Sequence, residues 1–219
     1  MHDAGVALLG EPKQVRTWNL SSLWRLPTAK GDAWLKVVPP FFAHEGAVLE
    51  ALRDAPVPRL IARDGPRLLM AQVAGHDGYG AQVPDTLAMV DVLVEIQSRW
   101  LDRADDLLAL GVPDWRAGAF GAAFAELLRR RGGDLAPVVG RHAIEEVPAV
   151  RAHWSAAWRR ALPKADVERA ADLVAPVAAA RQALIYQRFI DRIEDAEHPY
   201  HRADVGAWLA RTAQRLRES

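Results

Sequence analysis

The spacing of apolar residues divides the chain into two parts of different character. Up to Val73, short apolar runs alternate with polar residues and end at turn-forming residues, a pattern typical of β-strands. We predict five strands, at Arg16–Trp18, Leu23–Pro27, Ala33–Val38, Leu60–Ala62 and Arg67–Val73. A helix is expected from Ala43 to Arg53, because Pro39 and Pro40 cannot donate the hydrogen bonds that would prolong the third strand.

After Val83 the apolar period lengthens from about two residues to about 3.6, which indicates amphipathic helices. We predict one helix that begins at Pro84 and four further helices, over Gly118–Arg131, Val147–Ala161, Val167–Ile193 and Ala203–Arg217. The expected fold class is therefore α+β, with a five-stranded antiparallel sheet and one helix followed by a mainly helical part. The predicted division is a first domain over residues 1–75, a linker over 76–83 and a second domain over 84–219.

The charge balance limits the classes of partner. Lys and Arg total 28, and Asp and Glu also total 28, so no net field attracts nucleic acid or an anionic membrane. The chain has no cysteine, and its first residues do not read as a signal peptide. We therefore expect a cytoplasmic protein in a reducing compartment.

Lys36 is the charged residue that stands out in the third predicted strand. Strand alternation puts it on the same face as Trp34 and Val38, where an unpaired ammonium would be costly. The next helix offers Glu45 and Glu50 as counterions, and Glu45 is the better candidate because it lies nearer the helix start. The spacing leaves an alternative open, in which Lys36 is an edge-strand charge that opposes aggregation and Glu45 only favours the helix dipole.

Several stretches of the chain resemble bacterial proteins of the aminoglycoside phosphotransferase family. The similar stretches are Trp18–Leu26, Trp34–Val38 and His44–Leu52 for the family's small lobe, and Ala180–Phe189 and His198–Val205 for the closing helices of its large lobe. The resemblance implies a protein-kinase-like small lobe followed by a reduced, mainly helical second lobe. It also implies that Lys36 contacts the phosphates of ATP and that Glu45 positions the lysine.

The same resemblance implies further nucleotide contacts. Ser21 and Ser22 lie where the family's phosphate-covering loop lies, although the Gly-x-Gly-x-x-Gly pattern of protein kinases is lacking. Gln72 and Val73 correspond to the hinge, whose backbone bonds the edge of adenine. The implied ligands are ATP, with Mg²⁺ as the family's metal, and a small hydroxylated acceptor.

The catalytic loop of the family has no good counterpart here. Members of the family carry a catalytic loop that resembles His-Gly-Asp-x-His-Pro-x-Asn and, after it, an aspartate that holds magnesium. The nearest match in this chain is Gly132–Val139. Val139 stands where the asparagine belongs, and a valine cannot ligate a cation that demands oxygen. We interpret Asp134 as incidental to a glycine helix stop, find no metal ligands, and expect a chain that is inactive as a kinase on its own.

A second candidate for a metal site is the pair His198 and His201. We expect Pro199 to disturb their helical presentation, and no third ligand is evident. The two histidines are therefore interpreted as surface or packing residues.

The alternative to a nucleotide-binding protein is a non-catalytic helical module for interaction or homo-oligomerisation. Tryptophans recur in the helical part, at Trp100, Trp154, Trp158 and Trp208. Their helical spacing favours packing in a core over a cofactor cage, and the surface they leave exposed would meet a partner or a second copy.

Overall fold

The computed structural model describes residues 5–18, 20–75, 82–131 and 148–218, and of Trp18 only the backbone. The chain forms two compact units, one of Met1–Gly80 with Arg99–Pro113 and the other of Ala81–Ser98 with Asp114–Ser219. The first unit contains an antiparallel sheet, and the region after it is mainly helical. The α+β class expected from the sequence is therefore present.

The sheet of the first unit has five strands, all paired antiparallel, in the order β1-β2-β3-β5-β4. The strands are β1 (Lys13–Trp18), β2 (Ser21–Leu26), β3 (Ala33–Val37), β4 (Leu60–Asp64) and β5 (Arg67–Ala71), and helix α1 (Glu45–Ala51) lies between β3 and β4 in the chain. Gly31 and Gly65 adopt positive φ values of 94° and 52° in the two hairpin turns, a conformation that glycine reaches without steric cost.

The sheet is apolar on both faces. One face carries the buried residues Leu26, Ala33 and Leu69, with Trp24 and Leu35 packed against them. The other face carries Val38, Leu68 and Met70, against which Trp34, Phe42, Leu49 and Leu60 pack. Because Phe42 precedes α1 and Leu49 lies within it, this second face is the one that the helix covers.

Seven helices follow the sheet in the described residues. They are α2 (Val83–Arg99), α3 (Ala104–Ala109), α4 (Ala117–Arg131), α5 (Pro148–Ala161), α6 (Val167–Ile190), α7 (His198–His201) and α8 (Asp204–Glu218). Helix α3 belongs to the first unit, and the others lie in the second unit apart from the last residue of α2. The longest helix, α6, starts where the Asp166 side chain accepts a hydrogen bond from the Arg169 N–H at 3.0 Å, a regular N-cap.

The predicted elements are present with ends that differ by up to three residues, and Val147 lies outside the described residues. Two short helices, α3 and α7, were not predicted. The expectation that Pro199 disturbs a helix is wrong, because Pro199 lies in the first turn of α7, where a missing N–H breaks no hydrogen bond. Among the described residues, no helix combines the length and the apolar character needed to cross a membrane.

Leu68→Ala should destabilise the first unit strongly. Leu68 is 0% exposed, so the truncation leaves a cavity under α1, and we expect a loss of about 2–5 kcal/mol in the free energy of unfolding. Urea unfolding followed by circular dichroism measures the loss. Leu9→Ala is the matched control, because Leu9 is 71% exposed, and equal unfolding midpoints for the two variants would contradict the assigned core.

Candidate functional site

Lys36 lies on the centre strand of the sheet. Its Cα partners across the ladder are Leu23 on β2 and Leu68 on β5. Since residues opposite each other in a ladder share a face, Lys36 projects from the face that carries Leu68 and that α1 covers. The alternative in which Lys36 guards an edge strand is therefore wrong, because sheet order places β3 between β2 and β5.

Glu45 reaches Lys36 because α1 lies close to the sheet. The helix begins at Glu45, and the next residue, Gly46, is buried. A Cβ atom at Gly46 would lie 3.1 Å from Arg63 Cδ and 3.6 Å from Leu68 Cδ2, so a glycine is what lets the helix approach this near. The approach brings the first turn of α1 over the lysine.

The pairing predicted from the sequence is present. Lys36 Nζ donates a short, charge-assisted hydrogen bond to Glu45 Oε1 at 2.6 Å. The other candidate, Glu50, is engaged elsewhere, because its carboxylate accepts from Arg63 Nε at 2.9 Å. The side chains of Lys36 and Glu45 are 28% and 32% exposed, so the pair is within reach of a ligand in solution.

His44 borders the pair on the helix side. Burial lowers the pKa of His44 below its ordinary value of 6.5, and the neighbouring charge of Glu45 offsets only part of that effect. The imidazole is therefore neutral at pH 7. A neutral His44 does not compete with Lys36 as a cation for the carboxylate of Glu45.

Ser21 and Ser22 belong to the sheet, as the first two residues of β2. They pair with Trp18 and Thr17 of β1, so the second strand begins two residues earlier than the predicted Leu23. Side-chain hydrogen bonds accompany this pairing. Ser22 Oγ accepts from Trp24 Nε1 at 2.7 Å and lies 3.1 Å from Thr17 Oγ1, which ties the hydroxyl into the hairpin.

Gln72 and Val73 follow β5, where the chain leaves the sheet. The Gln72 N–H donates to Asp32 O at 3.2 Å, and the Gln72 side-chain amide donates to Val73 O at 2.8 Å. The amide oxygen of Gln72 accepts from the indole N–H of Trp34, which lies on the same strand and face as Lys36. The link between Trp34 and Gln72 could not be predicted from a local pattern, because the two residues lie 38 positions apart in the chain.

Asp134, the nearest match to the aspartate of the family's catalytic loop, lies outside the described residues, as does Val139. Within residues 5–18, 20–75, 82–131 and 148–218, no group of three or more His, Cys, Asp or Glu side chains is arranged to hold a metal ion. His201 has a different role, since its Nδ1 lies 2.8 Å from Asp204 Oδ2 at the start of α8.

Comparison of the chain with protein-family models, with curated proteins and with solved structures found no match.

A double-mutant cycle should detect the coupling between Lys36 and Glu45. Because both side chains are about a third exposed, we expect Lys36→Met and Glu45→Gln to couple by only about 0.2–1 kcal/mol in urea unfolding. The same cycle on Lys36 and Glu50 is the control and should show no coupling, since Glu50 pairs with Arg63. Strictly additive effects of Lys36→Met and Glu45→Gln would contradict the pairing.

Proposed function

We propose that this chain is a homologue of ATP-dependent small-molecule phosphotransferases of the aminoglycoside type, and that it binds a nucleotide without transferring phosphate on its own. In this proposal the first unit is a kinase-like small lobe, and the later helices are a reduced form of the large lobe. The protein would hold ATP by its phosphates, with a small hydroxylated molecule as the ancestral acceptor.

The observation that carries the proposal is the 2.6 Å contact between Lys36 Nζ and Glu45 Oε1. An ammonium has three N–H donors, so a bond to Glu45 leaves donors for phosphate oxygens. The carboxylate fixes the ammonium at the centre of the sheet, which lowers the entropy cost of meeting a ligand there. A lysine on a strand, held by a glutamate on the next helix, is the arrangement that protein kinases use for the α- and β-phosphates.

The proposed lack of activity rests on the sequence. Phosphoryl transfer needs an aspartate that orients the acceptor hydroxyl and oxygen ligands that hold magnesium against the phosphates. Gly132–Val139 offers Asp134 but has valine in the position of the metal-binding asparagine. Binding without turnover is the consequence, since the phosphate anchor and the catalytic loop come from different segments.

Calorimetric titration with ATP and Mg²⁺ tests the proposal. We expect saturable binding by the wild type and its loss in Lys36→Ala, because the substitution removes the ammonium that meets the phosphates. Lys30→Ala is the matched control, since Lys30 is exposed in the turn before β3, and it should bind as the wild type does. Identical weak heats for all three proteins would rule out nucleotide binding at Lys36. Phosphate transfer to a hydroxylated acceptor at saturating ATP and Mg²⁺ would refute the proposed inactivity.

Exposed apolar residues on α6 favour a second candidate function, that of a helical module for oligomerisation. Leu173 and Val174 are each 57% exposed and Val177 is 44% exposed, and their spacing on α6 puts them on adjoining parts of the helix surface. The tryptophans are less available, because Trp154 and Trp158 contact each other with ring centroids 6.3 Å apart and Trp208 stacks on Tyr186. A second copy of the chain is the simplest cover for the exposed residues of α6.

Sedimentation velocity over a range of concentrations tests the second candidate. It predicts a mass that rises with concentration, that falls to the monomer in Leu173→Glu, and that is unchanged in Lys36→Ala. Ser98→Glu, also on a helix of the second unit, is the control for added charge. A monomeric wild type at every concentration would exclude homo-oligomerisation.

A further inference from the structure

Two arginines of α6 stack on one tryptophan in the second unit. The guanidinium carbon of Arg188 lies 4.8 Å from the centroid of the Trp115 ring, and that of Arg181 lies 5.9 Å from the same centroid. The two arginines are about two helical turns apart on α6, so they lie on the same side of the helix. We call Trp115, Arg181 and Arg188 together the Trp115 surface.

The indole of Trp115 is held by aromatic contacts with α4. Its ring centroid lies 6.0 Å from that of Phe120 in an edge-to-face arrangement, and Phe120 stacks on Phe124 at 5.9 Å. Aromatic pairs at these separations are favourable, so the tryptophan ring has a defined position against which the arginines pack. A guanidinium that stacks by its flat face keeps its N–H groups at the edge, where they can meet hydrogen-bond acceptors.

The N–H donors of both arginines are unused within the described part of the chain, because neither guanidinium forms a hydrogen bond or an ion pair there. Arg181 is exposed overall, yet burial of part of its side chain lowers its pKa, and no described carboxylate lies close enough to offset that effect. The acids closest in the chain are engaged elsewhere. Asp114 accepts from Arg116 Nη2 at 2.9 Å, and Asp191 accepts from Arg130 Nη2 at 2.8 Å.

We propose that the Trp115 surface binds an acidic peptide segment of a partner protein, with one carboxylate on Arg181 and another on Arg188. Guanidinium N–H groups match the geometry of carboxylate oxygens, and stacking on the ring orients them before the ligand binds. The two guanidinium carbons are at most about 11 Å apart, because they lie 4.8 and 5.9 Å from one centroid. In an extended peptide, side chains two residues apart point the same way about 7 Å apart, so flexible glutamates reach both arginines.

The local charges favour a peptide over other polyanions. Nucleic acid gains affinity with each phosphate that is neutralised, and two arginines in a chain with equal numbers of acidic and basic residues supply few such contacts. An anionic membrane is disfavoured for the same reason, since each basic residue near it contributes only about 1 kcal/mol. Lys36 belongs to the first unit, so this proposal does not rest on nucleotide binding.

Calorimetric titration of the full chain with a short peptide of alternating serine and glutamate tests the proposal, with the peptide of serine and glutamine as the neutral analogue. We expect saturable binding of the glutamate peptide only. Arg181→Gln and Arg188→Gln should each weaken the affinity about tenfold, the effect of losing one charge-assisted contact. Arg217→Gln, an exposed arginine near the end of α8, is the matched control and should bind as the wild type does.

Further variants separate specific docking from general attraction between charges. Arg181→Lys should weaken binding although it keeps the positive charge, because an ammonium lacks paired planar donors. Trp115→Phe should bind more tightly than Trp115→Leu, since only an aromatic ring supports the arginines by a cation–π contact. Circular dichroism checks that each variant is folded. Lys36→Ala should bind the peptide as the wild type does.

The proposal would be overturned by equal affinities of the wild type and Arg188→Gln for the glutamate peptide, or by a lack of saturable binding of that peptide at millimolar concentration. It would also be overturned if glutarate or single-stranded DNA bound as tightly as the peptide. That result would identify a small dicarboxylate or a nucleic acid as the better ligand.

Discussion

An ammonium group on the apolar face of a central strand needs a carboxylate within reach, and in this protein Glu45 supplies it to Lys36. The sheet fixes the lysine, since β3 has a neighbour on each side, and the glycine after Glu45 lets α1 come close enough to bring the carboxylate over it. The pair is partly exposed, so its contribution to stability is small. Its importance is geometric, because it holds one positive charge at a defined point on a solvent-accessible surface.

The second unit uses charge in a related way. Gln187 is buried, accepts from Arg131 and donates from Nε2 to Asp191 at 2.7 Å, and Arg130 completes the neutralisation of that aspartate. Buried polar side chains that are fully bonded in this way orient the groups around them. In each unit a side chain from one element thus holds a basic residue of another in place.

The elements could largely be predicted from the sequence, because alternation and the 3.6-residue period are local signals. The position of Lys36 in the sheet could be predicted only in part. Its face followed from alternation, but its central position did not, because β5 inserts between β3 and β4 by a long-range pairing. The hydroxyl of Ser22 and the link from Trp34 to Gln72 depend on side chains brought together by that pairing, so no local pattern indicated them. Helix α3 was missed because so short a helix has almost no period to detect.

The most direct test of the account follows the lysine side chains by NMR during titration with ATP and, separately, with adenosine. We predict that the ε-methylene signal of Lys36 moves with ATP and not with adenosine, since the proposed contact is with the phosphates, while the signal of exposed Lys30 stays in place. A Lys36 signal that is unchanged at ATP concentrations that saturate binding would contradict the claim that this ammonium is the phosphate anchor.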